Sequence, residues 1–283
     1  MGKRRYGIDE ERIQKWIKDG RGKGELKTYQ PWLTIHDIPS IGRVSRLKGD
    51  TTGRIHHVLS DIERGVCLAL DAAKAVVDIR EQFPLPREAT IAIAAEMGVR
   101  HPKDGQVDIV MTTDFLVDVR TRGRVKQQAI AVKPASGLDD KRTIEKLEIE
   151  RRYWLSQGVP WRITTDLELS FGSKMFGLWC HGMTSLEHHD APTATYWVER
   201  SEQLLAVLED AEIQPLRQLF GRLEAEHAFE PGDALTVIRH LLAIGRLQLT
   251  TNGSFAPRGS TAQFIMNLDA AEGLQANLGA DAA

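Results

Sequence analysis

Glu63, Asp114 and Lys133 are the residues whose types and surroundings could do chemistry together. Hydrolysis of a phosphodiester needs positive charge on the phosphate, a water made nucleophilic and a stabilised leaving oxygen. Mg2+ meets much of this need when one or two carboxylates hold it alongside waters and substrate oxygens. A lysine beside the metal orients the attacking water or balances the negative charge that develops. An acid on a helix, an acid on a strand and a lysine at the end of the neighbouring strand make a compact site of this kind. Each residue also has a structural reading. Ser60-Asp-Ile-Glu63 is a capping box. Asp108, Asp114 and Asp118 share one parity, as a polar strand face would, and Lys133 before Pro134 also reads as a strand end with a solvated lysine. The residue pattern alone leaves both readings open.

The elements that must position these groups are legible from periodicity. Ser60–Val77 reads as a buried helix with Ile62, Val66, Leu70 and Ala73 on one face, capped by Ser60. Val76–Leu85 reads as a strand ending at Pro84. Val107–Arg120 and Gln127–Val132 are β-type runs separated by the basic turn Thr121-Arg122-Gly123-Arg124, an antiparallel pair. Asp139–Gln157 is strongly helical, with i,i+4 charge pairs such as Glu148–Arg152, and Trp161–Thr165 is a further short strand. Strands interleaved with helices predict an α/β core over about residues 55–166.

Before this core, the chain is basic and broken by Gly20, Gly22, Gly24, Pro31 and Pro39, with a helix predicted at Glu10–Lys18. After it the pattern turns mainly helical, including Asp233–Ile244. The run Leu247–Phe255 then holds Asn252-Gly253, a hairpin signal. Helices followed by a small hairpin predict a winged-helix-like module, so the domains are expected at 1–166 and 167–283. Charge divides the same way: residues 1–166 carry 30 Lys and Arg against 24 Asp and Glu, and residues 167–283 carry 7 against 15. The basic half suits a phosphate backbone, with Lys3, Arg4, Arg5, Arg21, Lys23 and Lys27 as expected DNA contacts, and the acidic half suits a protein partner.

Apolar residues at 42% and charged residues at 27% fit a soluble folded protein, and the sequence has neither a membrane-spanning run nor a leader-like start, so a cytoplasmic location is expected. Cys67 and Cys180 lack the spacing of a zinc knuckle. His181, Glu187, His188, His189 and Asp190 have no standard ligand spacing and read as a polar loop. There is no P-loop.

The segments HHVLSDIE (56–63), VDIREQFPL (77–85), TTDFLVD (112–118), AIAVKPA (129–135), KLEIERRYW (146–154) and VPWRITTD (159–166), with PWLTIHDIPSIGR (31–43), resemble the TnsA family, the endonuclease subunits of heteromeric bacterial transposases. The likeness runs in order from about Gly20 to Asp166 and weakens in the last third. It implies a restriction-endonuclease-like first domain and a winged-helix second domain. It also implies Mg2+, with Mn2+ able to substitute, and cleavage of the 5′ strand at transposon ends. The implied partners are transposon-end DNA, an integrase-like transposase and an AAA-type ATPase regulator contacting the C-terminal domain. On this resemblance Glu63, Asp114 and Lys133 are catalytic, Asp114 bridges the metals, Glu63 holds one, and the Val132 carbonyl is another ligand. The family places Gln or Glu two residues before the lysine, where this chain has Ala131. That departure leaves open a stand-alone nuclease of the same fold or a catalytically weakened adaptor.

Overall fold

The computed structural model describes residues 7–37, 43–168, 177–210, 212–250, 255–256 and 258–266. Lys3, Arg4, Arg5 and the Asn252-Gly253 turn lie outside these residues. The chain separates into two compact units, Met1–Ser170 and Phe171–Ala283.

The N-terminal unit is built on a four-stranded sheet of β3 (Val76–Pro84), β6 (Thr112–Thr121), β7 (Arg124–Val132) and β8 (Trp161–Thr164), in that order. The first three strands are antiparallel, and β8 runs parallel to β7. That parallel pairing requires a crossover, which α4 (Lys141–Ser156) supplies. On one face, α2 (Asp61–Asp71) and the small sheet of β1 (Ser45–Lys48) and β2 (Ile55–Val58) enclose Val66, Cys67, Ile79, Phe115, Val117, Ile130 and Val132. On the other, α3 (Arg87–Glu96) and α4 enclose Leu85, Leu116, Ala129, Ile149, Tyr153 and Trp154. Helix α1 (Glu10–Lys18) starts at its Asp9 cap, whose carboxylate accepts from the Arg12 amide, and buries Ile13 and Trp16 against Trp32.

Several elements differ from their sequence reading. The run 107–120 is broken: Val107–Asp108 (β5) pairs with Lys103–Asp104 (β4), and only Thr112–Thr121 joins the main sheet. Asp108, Asp114 and Asp118 therefore do not share a polar face. Asp108 meets His101 and Lys103, Asp118 meets Arg80, and Asp114 faces Lys133. The helix expected to reach Val77 ends at Asp71, because the next residues turn into β3. Helix α3 was not read from the sequence; its start at Pro86 and its small alanines give little amphipathic signal.

The Gly20–Gly24 region packs along the sheet. A Cβ on Gly22 would lie 2.1 Å from Pro84, so only glycine permits that approach. The Leu26 amide donates to Asp78, the Tyr29 hydroxyl to the Glu81 carbonyl and the Trp32 amide to the Gln82 carbonyl. This segment covers the exposed edge of β3.

The C-terminal unit is helical around Leu204, Leu216, Leu219, Leu223, Val237, Ile238 and Leu241, all fully buried. These come from helices Tyr196–Asp210, Leu216–Glu226 and Asp233–Ala243. Strand β9 (Leu247–Leu249) pairs not with the residues directly after Asn252-Gly253 but with β10 (Phe264–Met266), Leu249 opposite Phe264. The hairpin is thus much wider than the Asn-Gly signal suggested. Among the described residues no helix is long and apolar enough to cross a membrane.

Candidate active site

Asp114 sits where the regular alternation of two strands breaks. Glu81 and Phe115 lie on the α2 side of the sheet, whereas Phe83 and Thr113 lie on the Trp154 side. The switch occurs across Gln82, whose φ of 48° is left-handed, and its neighbour Asp114. This break frees the Asp114 carboxylate from the packed faces. The Val132 amide donates to Asp114 Oδ2 (2.6 Å) in place of a strand carbonyl. The Lys133 ammonium donates to the same oxygen (2.8 Å) and to the Val132 carbonyl (2.8 Å). Gln82 Nε2 donates to Asp114 Oδ1 (3.3 Å) while its carbonyl oxygen accepts from the Thr112 hydroxyl (3.0 Å).

Glu63 enters from the start of α2 and fulfils its structural reading as well. Ser60 caps the helix by accepting from the Glu63 amide (3.1 Å), and the Glu63 carboxyl accepts from the Leu59 amide (2.9 Å) and the Ser60 hydroxyl (3.0 Å). Burial, and then the charge of Asp114, raise its pKa to about 7. Cap and charged site coincide in one side chain.

A fourth charged group was missed by the sequence reading. Glu150 is buried on α4 and accepts from the Trp161 indole N–H (3.0 Å). Burial and the nearby Asp114 raise its pKa to about 7, and Lys133 opposes that rise. The signal was present: Leu147, Glu150 and Trp154 share the buried stripe of the helix, so a glutamate interrupts an apolar face. Burial disfavours the Lys133 cation, but Asp114 more than offsets this, and the lysine pKa is raised. Ala131, fully buried and in register with Ile163, contributes no ligand atom.

The donors suit a hard divalent cation. Asp114 Oδ2 and the Val132 carbonyl both turn toward one point, and the Lys133 ammonium bridges them there. That ammonium stands in for a cation at the position the two oxygens define. Burial first, and then the charge of Asp114, raise Glu63 and Glu150 to about 7, and Lys133 only opposes that rise. Among the described residues no group of three or more His, Cys, Asp or Glu is arranged to hold a metal ion by itself. The candidate set is therefore two carboxylates, a carbonyl and solvent, as Mg2+ accepts.

Other candidates are placed elsewhere. Arg21 is drawn into the fold, donating to Asp37 (2.6 Å) and the Trp32 carbonyl (2.8 Å) and lying over the Trp16 ring, whereas Lys23 and Lys27 are exposed. His56 is fully buried between Glu81 and Thr52. Burial alone would raise the Glu81 carboxyl, but Arg54 and His56 hold it at about 2, so this network is a structural ion cluster. Cys67 is buried and its thiol is pushed well up by burial, the state of a core residue.

Residues 73–166 match the family described as TnsA-like endonuclease N terminal, and residues 178–249 match TnsA endonuclease C terminal. The class is that of an endonuclease, and the first match spans Asp114, Val132, Lys133 and Glu150. Over 255 residues the chain is 39% identical to the Transposon Tn7 transposition protein TnsA of Escherichia coli, covering 90% of this chain and 91% of that protein. This chain belongs to the TnsA family.

Proposed function

We propose that this protein is the subunit of a cut-and-paste transposition machine that hydrolyses the 5′ strand at each transposon end with Mg2+. The observation that carries the reading is the convergence of Asp114, the Val132 carbonyl and Lys133 at the break in β6, with Glu63 and Glu150 buried beside them. Asp114 and the Val132 carbonyl would hold the ion, with Glu63 completing the protein ligands. Mg2+, when bound, supplies the charge on the phosphate and lowers the barrier to water attack. Lys133, which donates to Asp114 and to the Val132 carbonyl, would orient the attacking water and offset developing negative charge. Glu150 adds a buried carboxyl near Asp114, which favours an active nuclease over an adaptor. A carboxyl titrating near neutrality is suited to accept a proton from that water.

On this reading, residues 1–166 form a restriction-endonuclease-like domain and residues 167–283 a winged-helix-like domain. Lys3, Arg4, Arg5, Lys23 and Lys27 contact DNA, and the acidic second domain docks to an ATPase regulator beside an integrase-like transposase. The test is strand-resolved cleavage of labelled transposon ends with all partners and Mg2+ present. Asp114→Ala should lose the 5′ cut by about a thousandfold or more while the partner's 3′ cut persists. Full 5′ cleavage by that variant would overturn the assignment.

A further inference from the structure

The two strands that carry Asp114 and Lys133 run on past the sheet as a bare arm. β3 leaves β6 at Val119, and β8 meets β7 only from Ala129 onward, so residues 120–127 have no outer neighbour strand and are exposed. Within the arm, Arg120 opposes Val125 and Thr121 opposes Arg124. The turn places Arg122 at φ 51° and Gly123 at φ 76°. This is the double left-handed turn that favours Asn-Gly, and arginine enters it at a steric cost. The arm carries Arg120, Arg122, Arg124 and Lys126, with no acid from Val119 to Gln128. Among the described residues none of these four has an ion-pair or side-chain hydrogen-bond partner. Exposed Lys74 adjoins them, since the Arg120 amide donates to the Ala75 carbonyl (2.7 Å).

Unpaired like charges on one narrow hairpin repel one another unless a polyanion lies across them. Arg124 and Lys126 stand on the same side of β7, about 7 Å apart, close to the repeat of phosphates along a DNA strand. Phosphate contacts from arginine and lysine position a duplex without reading its sequence. Seven residues separate Asp114 from Thr121, roughly 23 Å along the strand. We propose that the β6–β7 arm is a second phosphate-backbone clamp, gripping duplex DNA at the far end of the hairpin from Asp114 and Lys133. The proposal rests on the endonuclease reading only for the choice of DNA as the polyanion. The duplex held there is a distant stretch of the end being cut or a separate segment.

The test uses the full chain with R122N, R124Q and K126Q combined; asparagine suits the turn, so the hairpin is preserved. Binding of a fluorescent 40-base-pair duplex is titrated across salt, and capture of a second labelled duplex by protein on an immobilised first duplex is measured alongside. If the arm grips the same duplex, the triple variant binds at least tenfold more weakly at low salt, and its salt slope falls by roughly two to three. If it grips a second segment, single-duplex binding is unchanged and capture of the second duplex is lost. Both readouts equal to wild type would overturn the proposal. Unchanged DNA readouts with loss of transposase binding would equally overturn it, and assign the arm to a protein. Asp114→Ala serves as control: it removes cleavage but leaves both DNA readouts, so failure of the nuclease reading is separable from failure of this one.

Discussion

In the N-terminal unit the buried side chains include Glu63, Asp78, Arg80, Glu81, Gln82, Asp114 and Glu150, whereas in the C-terminal unit the buried polar side chains among the described residues are Ser201 and Asp233. Asp233 Oδ2 accepts from the Tyr196 hydroxyl and the Glu230 amide, and Ser201 donates to a helix carbonyl. The rest of that core is mostly leucine, isoleucine and valine, with Cys180, Phe229 and Ala234. Burying a charge is costly unless it is paired. Glu81 is paired by Arg54 and His56 and stays ionised. Glu63 and Glu150 are not balanced in that way, and both titrate near 7. Among the described residues, the buried carboxyls raised toward neutrality lie in the first unit beside Asp114, which marks a charged site there.

The sharpest way to break this comparison is Lys133→Ala. Removing the ammonium that bonds Asp114 and the Val132 carbonyl should reduce strand cleavage by about a thousandfold or more, with Mn2+ binding largely retained by calorimetry. A variant that still cleaves would mean the lysine only neutralises charge. Next in size is Leu219→Ala, fully buried in the C-terminal unit. It should destabilise that unit by about 2–5 kcal/mol in denaturant unfolding, and a loss under 1 kcal/mol would show that the apolar core is not what holds it.

Glu150→Gln probes the opposite sign. A carboxyl whose folded pKa lies above its unfolded value makes the folded chain bind more protons between the two. Stability of the metal-free protein therefore falls as pH rises from about 4.5 to about 7, then levels off. Glutamine keeps the acceptor for Trp161 and removes the charge. It should stabilise the metal-free protein by roughly 1–3 kcal/mol at pH 8, do little at pH 4, and lower cleavage. A variant that is no more stable at pH 8 would mean that Glu150 is balanced in solution. The smallest effect belongs to Ala131→Gln, expected to lower the Mg2+ concentration for half-maximal cleavage a few-fold. Identical metal curves would indicate that position 131 faces away from the ion.

Much of this was legible along the chain because the relevant signals are local. Helix α1 is observed over the predicted Glu10–Lys18, and β3 and β8 fall within a residue or so of their predicted spans, since caps, periodicity and proline act over a few residues. Ser60 and Glu63 form their cap for the same reason. The order of segments also carried the family, and with it Asp114 and Lys133 as neighbours. What the sequence by itself did not determine depends on residues far apart. Gln82 turns left-handed and reaches Asp114 only because β3 pairs with β6, and Glu150 becomes a site residue only when α4 packs over Thr113 and Trp161. Arg21 read as a free cation until Asp37 and Trp16 closed on it. β9 chose β10 over the nearer residues beyond Asn252-Gly253. Spacing along a chain sets which backbone conformations are cheap; which charges share a low-dielectric site is decided by packing, because burial and Coulomb interaction depend on distance in space.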